Sequence, residues 1–216
     1  QARVATRAQW QAAAEAVRKE HQSGDLIVTA PAWADPLGRL ALGERMTLDD
    51  VTRPDGRTYR RIFELSLRGA RHPDTRGARP IWRRTFGPVQ VTRYEQTPVR
   101  VTADFYADLP KARVWEERGG RNVETCRWRQ REGRHRCRAG WKSVERVRAE
   151  IGYQPRRCIF AHPIEGASRV IEFPAKPLGK RLVIWTGLKG YDPRYRARRV
   201  VWEYRRWKAG RLKKKK

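Results

Sequence analysis

The chain reads as an α+β protein: a small α/β unit over residues 1–95, an antiparallel β-sandwich over 96–207, and a basic tail at 208–216. Two observations predict this. A helix-period segment runs straight into a short apolar stretch closed by proline. Beyond about residue 95, apolar residues alternate over strand lengths between regularly spaced turn signals. With 216 residues the chain can bury a real core. Its 39% hydrophobic content, with 9 Trp, 7 Tyr and 5 Phe spread along it, argues for folding rather than disorder. The densest apolar runs, Leu26 to Ala32 and Leu182 to Leu188, are strand-sized and far below the roughly 20 residues of a spanning helix.

Taken in order, residues 6–22 form a helix, because Trp10, Ala13, Ala14 and Val17 share a face and Gln22-Ser23-Gly24 stops it. Asp25 to Ala30, closed by Pro31, reads as a strand covered on both faces. The following loop, Pro31 to Arg39, then stands where α/β layers place functional loops. Thr47 to Val51 is a capped helical turn, and Tyr59 to Leu67 a second core strand. Arg68 to Pro80 is rich in Arg, Gly and Pro without periodicity, and reads as a loop. The expected sandwich strands are 89–94, 99–106, 112–117, 123–129, 158–162, 168–173, 181–188 and 199–204. Asp108-Leu109-Pro110, Gly119-Gly120, Glu132-Gly133, Glu165-Gly166, Pro177-Leu178-Gly179 and Tyr191-Asp192-Pro193 separate them as turns. After Lys208-Ala209-Gly210 the expected return strand gives way to Arg211, Leu212 and lysines. The chain opens on Gln1 and reads as an excised or processed piece.

Charge is the strongest compositional signal: 50 Lys+Arg against 23 Asp+Glu give +27 and point to a polyanion partner. Of the basic residues 39 are Arg, present in nearly every block of ten, so codon bias or a diffuse solvated surface competes with a dedicated nucleic-acid face. Trp82 before Arg83-Arg84, Trp128 between Arg127 and Arg129, and the run Trp202, Tyr204, Arg205, Arg206, Trp207 interleave rings with guanidinium groups, as single-strand stacking platforms do. In strands the same alternation sends Trp to the core and Arg to solvent without any ligand.

Cys126 and Cys137 flank a hairpin turned by Gln130-Arg131-Glu132-Gly133, which sets them directly opposite one another within disulfide reach. A disulfide is expected, and with it an oxidising compartment; two unlinked small apolar residues are the alternative. Cys126, His135 and Cys137 offer three zinc ligands but lack a fourth, so no metal is expected. Cys158 alternates with Phe160 and reads as a buried thiol, and His162 as a hydrogen-bonding strand-end residue. Asp49-Asp50, Asp104/Asp108 and Glu116-Glu117 are the densest acidic spots, each with capping or ion pairing as its plain explanation. No nucleophile elbow, P-loop or dinucleotide motif is present, and neither a catalytic residue nor a cofactor is assigned.

Trp10 to Arg18, followed by Gly24-Asp25-Leu26-Ile27-Val28 and Ala30-Pro31, resembles the start of the soluble extracytoplasmic C-terminal region of bacterial GT-C-type, dolichyl-phosphate-mannosyltransferase-like membrane glycosyltransferases; Tyr59 to Leu67 looks like its second strand. Ser168 to Phe173, Pro177 to Leu182 and Thr186-Gly187-Leu188 are similar to galactose-binding-like jelly rolls. The resemblance implies a non-catalytic accessory region on the periplasmic face of the membrane, attached to the membrane domain of a parent or partner protein. It covers roughly the first third of the chain by motif. Such a region would bind or orient an anionic glycan, a lipid-linked sugar or an envelope polymer. Trp33, Asp35 and Arg39 after the first strand, and Thr186, Lys189, Tyr191 and Arg194 in a sandwich loop, are the candidate ligand-binding residues. A cytoplasmic nucleic-acid-binding or ribonucleoprotein component is the alternative, and a structural envelope subunit the third reading.

Overall fold

The computed structural model describes residues 4–53, 55–151, 154–176, 179–184, 186–187, 205–208 and 211–214. It is β-rich, with few helices and two principal sheets. Helix α1 (Arg7–Glu20) starts at a capping box: the Gln9 amide donates to Thr6 Oγ1 at 3.3 Å and the Thr6 amide to Gln9 Oε1 at 2.9 Å. Strand β1 (Leu26–Ala30) pairs in parallel with β2 (Arg61–Leu67). The antiparallel strands β3 (Arg79–Phe86) and β4 (Val89–Glu95) complete a sheet of order β1-β2-β4-β3.

Alternation along β1 and β2 explains why both are buried throughout. On one face Ile27, Phe63, Leu65, Val89 and Val91 pack under Trp10, Ala13, Ala14 and Val17 of α1. On the other, Leu26, Val28, Ile62 and Tyr94 are closed over by Tyr59 and Ala78. Glu64 lies on that second face at 1% exposure, and its carboxylate accepts from the His72 amide (2.7 Å), Thr75 Oγ1 (2.8 Å) and Tyr94 Oη (3.2 Å). These bonds latch segment 68–78 onto the sheet.

Several elements differ from expectation. Residues 31–39 are not an open loop: a 3-10 turn at Ala32–Ala34 leads into helix α2 (Asp35–Leu42), with Pro36 in its first turn, where a missing N–H costs nothing. The helical turn α3 (Leu48–Val51) is capped by Thr47 as expected. The 68–80 stretch gives way to β3 at Arg79, a strand the Pro and Arg content concealed. Residues 99–106 do not form a strand. Val99 donates instead to the Arg57 carbonyl at 2.9 Å, and Asp104 caps the short helix α4 (Phe105–Asp108) by accepting from the Tyr106 and Ala107 amides.

The second sheet comprises β5 (Arg113–Arg118), β6 (Arg121–Arg129), β7 (Arg134–Arg136), β8 (Val144–Ile151), β9 (Gln154–Ala161) and β10 (Ser168–Glu172), in order β10-β5-β6-β7-β8-β9. Gly119 and Gly120, at φ 54° and 78°, make the tight β5–β6 turn that side-chain-bearing residues resist. Strand β8 was not expected, because Val144, Val147 and Ile151 have helical rather than alternating spacing. Strands β9 and β10 lie at opposite edges, yet only residues 162–167 join them. A flat sheet of six strands would be roughly 24 Å wide, the most that such a connection spans fully stretched, roughly 24 Å. The sheet is therefore curled, and Ile159 and Ala161 from one edge meet Ile171 from the other on a shared core of Leu109, Val114, Cys126, Cys137 and Val144.

The expected hairpin register is present, with Arg127 opposite Arg136 and Trp128 opposite His135, and Cys126 and Cys137 are disulfide-bonded with Cα atoms 4.2 Å apart. Described residues 181–184 and 186–187 have no strand structure, contrary to expectation, and the 199–204 strand lies outside the described residues. The tail differs as well: β11 (Arg205–Lys208) pairs with β12 (Arg211–Lys214), so a return strand does form.

Candidate functional site

The cysteine and carboxylate clusters are occupied by structural work. In the zinc-like trio, both sulfurs are in the disulfide and His135 Nε2 meets the Leu109 carbonyl at 2.8 Å. The potential metal-ligand group found among the described residues, Glu124, Cys126 and Cys137, uses those same sulfurs. Asp108 pairs with Lys176 and with Lys111 (3.5 Å). Glu116 receives Arg118 at 2.9 Å and Lys142 at 3.3 Å. The Arg118 hydrogen bonds hold the Glu116 carboxyl below its usual range against the opposing effect of burial, and Lys142 adds to it. The His162 ring stacks edge-on with Trp141, centroids 4.9 Å apart. Trp82 and Trp128 pack on the two cores while Arg83, Arg127 and Arg129 are exposed, as alternation along a strand requires, and Arg84 lies on the Trp82 face with its guanidinium 4.9 Å from that ring.

Of the residues nominated after β1, Trp33 is exposed, whereas Asp35 and Arg39 face each other at 2.9 Å and Asp35 also accepts from Thr29 Oγ1 at 3.4 Å. That pair neutralises itself. Thr186 is exposed, beside a Gly187 that packs against the Ile151 side chain. Lys189, Tyr191 and Arg194 lie outside the described residues.

The arrangement with most chemical consequence lies where edge strand β9 meets the first sheet's loops. Asp104 fixes α4, Phe105 stacks on Phe173 (centroids 4.8 Å apart), and Leu109 is fully buried, so Tyr106 is held in place. The Tyr106 ring lies 4.8 Å from the Arg157 guanidinium and 5.7 Å from that of Arg146, which is also 5.9 Å from Trp128. The β8–β9 register puts Arg148 directly opposite Arg157, with Arg146 two residues along on the same face. Like charges directly opposite destabilise a sheet. Among the described residues only Asp49, 2.5 Å from Arg148, compensates, and neither Arg146 nor Arg157 is in an ion pair.

A second arginine, Arg53, shapes the titration of the adjoining groups. Arg53 is nearly buried against Asp74, with Nε at 3.0 Å and Nη2 at 2.5 Å from Oδ2. Burial, then the proximity of Arg53, lowers the Arg156 pKa below the usual guanidinium value. His72 is pushed down to about 4, first by burial and then by Arg53, with Asp74 opposing. Its Nδ1 accepts from the Asp74 amide at 3.1 Å, which requires the neutral ring, so the 3.7 Å approach to the Asp74 carboxylate is not an ion pair at neutral pH. The Tyr59 hydroxyl, donating to Asp50 at 3.2 Å, is raised by burial and by Asp50, with Arg53 and Arg157 opposing. A cationic rim around an aromatic face can take a phosphate or carboxylate in its guanidinium forks and a sugar ring against its aromatic carbons.

Sequence reasoning missed this cluster. Tyr106 sits in a segment that reads as strand, Arg146 and Arg148 sit in a strand it did not recognise, and pairing of β8 with β9 is a long-range event. The one available signal was the alternation Arg146-Val147-Arg148. No family model, curated protein or solved structure matches the chain. Among the described residues no helix is long and apolar enough to cross a membrane.

Proposed function

We propose that this chain is a non-catalytic extracytoplasmic accessory region, an α/β unit joined to a jelly-roll-like sandwich, that holds an anionic glycan or lipid-linked sugar phosphate at Tyr106, Arg146 and Arg157. The observation that carries the reading is the juxtaposition of cross-strand arginines around one tyrosine ring, with a single carboxylate among the described residues to offset them. An arrangement that costs stability when empty is repaid by an anionic ligand. The Cys126–Cys137 disulfide supports an oxidising compartment, and the resemblance to the GT-C soluble region supports the same side of the membrane.

The test is a calorimetric titration of the wild type, Tyr106→Ala and the double variant Arg146→Gln/Arg157→Gln. The probes are a phosphorylated oligosaccharide, its dephosphorylated form and a single-stranded oligonucleotide, at about 50 and about 200 mM salt. Phosphorylated sugar binding that weakens at least about tenfold in both variants, with a shallow salt dependence, is the expected result. Tighter oligonucleotide binding that collapses by about a thousandfold across that salt range would establish the nucleic-acid reading instead.

A further inference from the structure

Helix α2 is apolar on both sides. Its inward residues Ala34, Gly38, Ala41 and Leu42 are buried. Gly38 lies so close to β1 that a Cβ there would stand 2.3 Å from Thr29 Cγ2, and the Arg18 guanidinium donates to the Ala41 carbonyl. The helix is thus clamped flat on the sheet. Its outward face carries Leu37 and Leu40 at 41% and 76% exposure, and the 3-10 turn leading into it carries Trp33 at 63%. Their spacing of four and three residues places them in one narrow stripe along the helix. An ordinary solvent-facing helix would carry charged groups there.

The charges beside the stripe balance one another, so any attraction to an anionic plane comes from the chain as a whole. Asp35 is the helix's one carboxylate, and it is turned to Thr29 and Arg39 with a side chain 17% exposed. Arg39 keeps a side chain 38% exposed and Arg45 is exposed just past the helix, with Glu44 as the opposing rim charge. Behind them stands the +27 of the whole chain. A tryptophan in line with two leucines on a clamped helix and its leading turn, backed by a strongly cationic body, is the chemistry that seats in the headgroup region of a bilayer.

We infer that the Trp33–Leu37–Leu40 face of α2 is a peripheral docking surface for an anionic lipid bilayer. This surface is built from different residues than the Tyr106 site and does not rest on it. The full chain is tested by co-sedimentation with vesicles of phosphatidylcholine and phosphatidylglycerol at about three to one, and with phosphatidylcholine alone. Wild type partitions onto the mixed vesicles, and Trp33→Ser/Leu40→Ser lowers the partition coefficient at least about tenfold. Val123→Ser, a change at another exposed apolar residue, leaves it within about twofold. Equal partitioning of wild type and the stripe variant would assign binding to diffuse charge and overturn the inference, as would no partitioning at all. Sedimentation velocity supplies the remaining arm: self-association abolished by the stripe variant would make the face a contact between copies, which also overturns it.

Discussion

Glu64 gives the sharpest test of how the first sheet is held. Glu64→Ala leaves the Tyr94 hydroxyl and the His72 amide without their acceptor, while Thr75 Oγ1 keeps the His72 carbonyl at 2.9 Å. Two orphaned donors cost about 1–3 kcal/mol each, and the vacated space adds about 1 kcal/mol. Removing a buried charge returns part of this as relieved desolvation. The net expectation is a loss of about 4 kcal/mol. Glu64→Gln keeps the shape, one acceptor oxygen for His72 and Thr75, and an amide that can donate to Tyr94 Oη, so it costs below about 1.5 kcal/mol. Urea unfolding of both variants measures the difference, and hydrogen exchange at His72 and Asp74 reports whether segment 68–78 has come loose. Equal costs for Ala and Gln, or an alanine cost under about 1 kcal/mol, would refute the claim that hydrogen bonding to this carboxylate latches the segment.

Three further outcomes follow from particular residues. Arg157→Gln gives up a cation–π contact with Tyr106, about 0.5–1 kcal/mol, and relieves the repulsion from Arg148, about 0.2–1 kcal/mol. Its stability should therefore stay within about 0.5 kcal/mol of wild type while anion affinity falls, and a large loss of stability would show that the cluster is structural. Cys126→Ala/Cys137→Ala opens a cross-link between residues 11 apart and is expected to cost about 3 kcal/mol in chemical denaturation, a cost under about 1 kcal/mol contradicting the loop-closure account. Since the folded-state pKa of His72 is about 4 against an ordinary 6.5, the unfolded chain binds the extra proton between those values. Stability then rises with pH across that window, and acidification to below about pH 4 removes about 3 kcal/mol. His72→Asn should flatten this part of the stability curve, whereas a parallel curve would mean the imidazole is not held neutral.

The parts of the fold that local chemistry determines were legible in the sequence. Helix α1 announces itself through the periodic Trp10, Ala13, Ala14 and Val17, β1 through an apolar run closed by Pro31, and the disulfide through a four-residue turn that aligns Cys126 with Cys137. Where a segment's state is set by its partner, the reading failed. Strand β8 exists because β9 pairs along its whole length, overriding the helical spacing of Val144, Val147 and Ile151. Residues 99–106 are diverted by a cap at Asp104 and a backbone bond to Arg57, neither of which hydrophobic alternation registers. The candidate site depends on that same long-range pairing. Arg148 and Arg157 are unremarkable surface arginines until the register makes them direct neighbours, and Tyr106 is one aromatic among many until α4 sets it between guanidinium groups. In a chain with 39 arginines, composition cannot distinguish these from the rest. What distinguishes them is the local conflict with good sheet pairing, and such conflicts are where binding sites are to be sought.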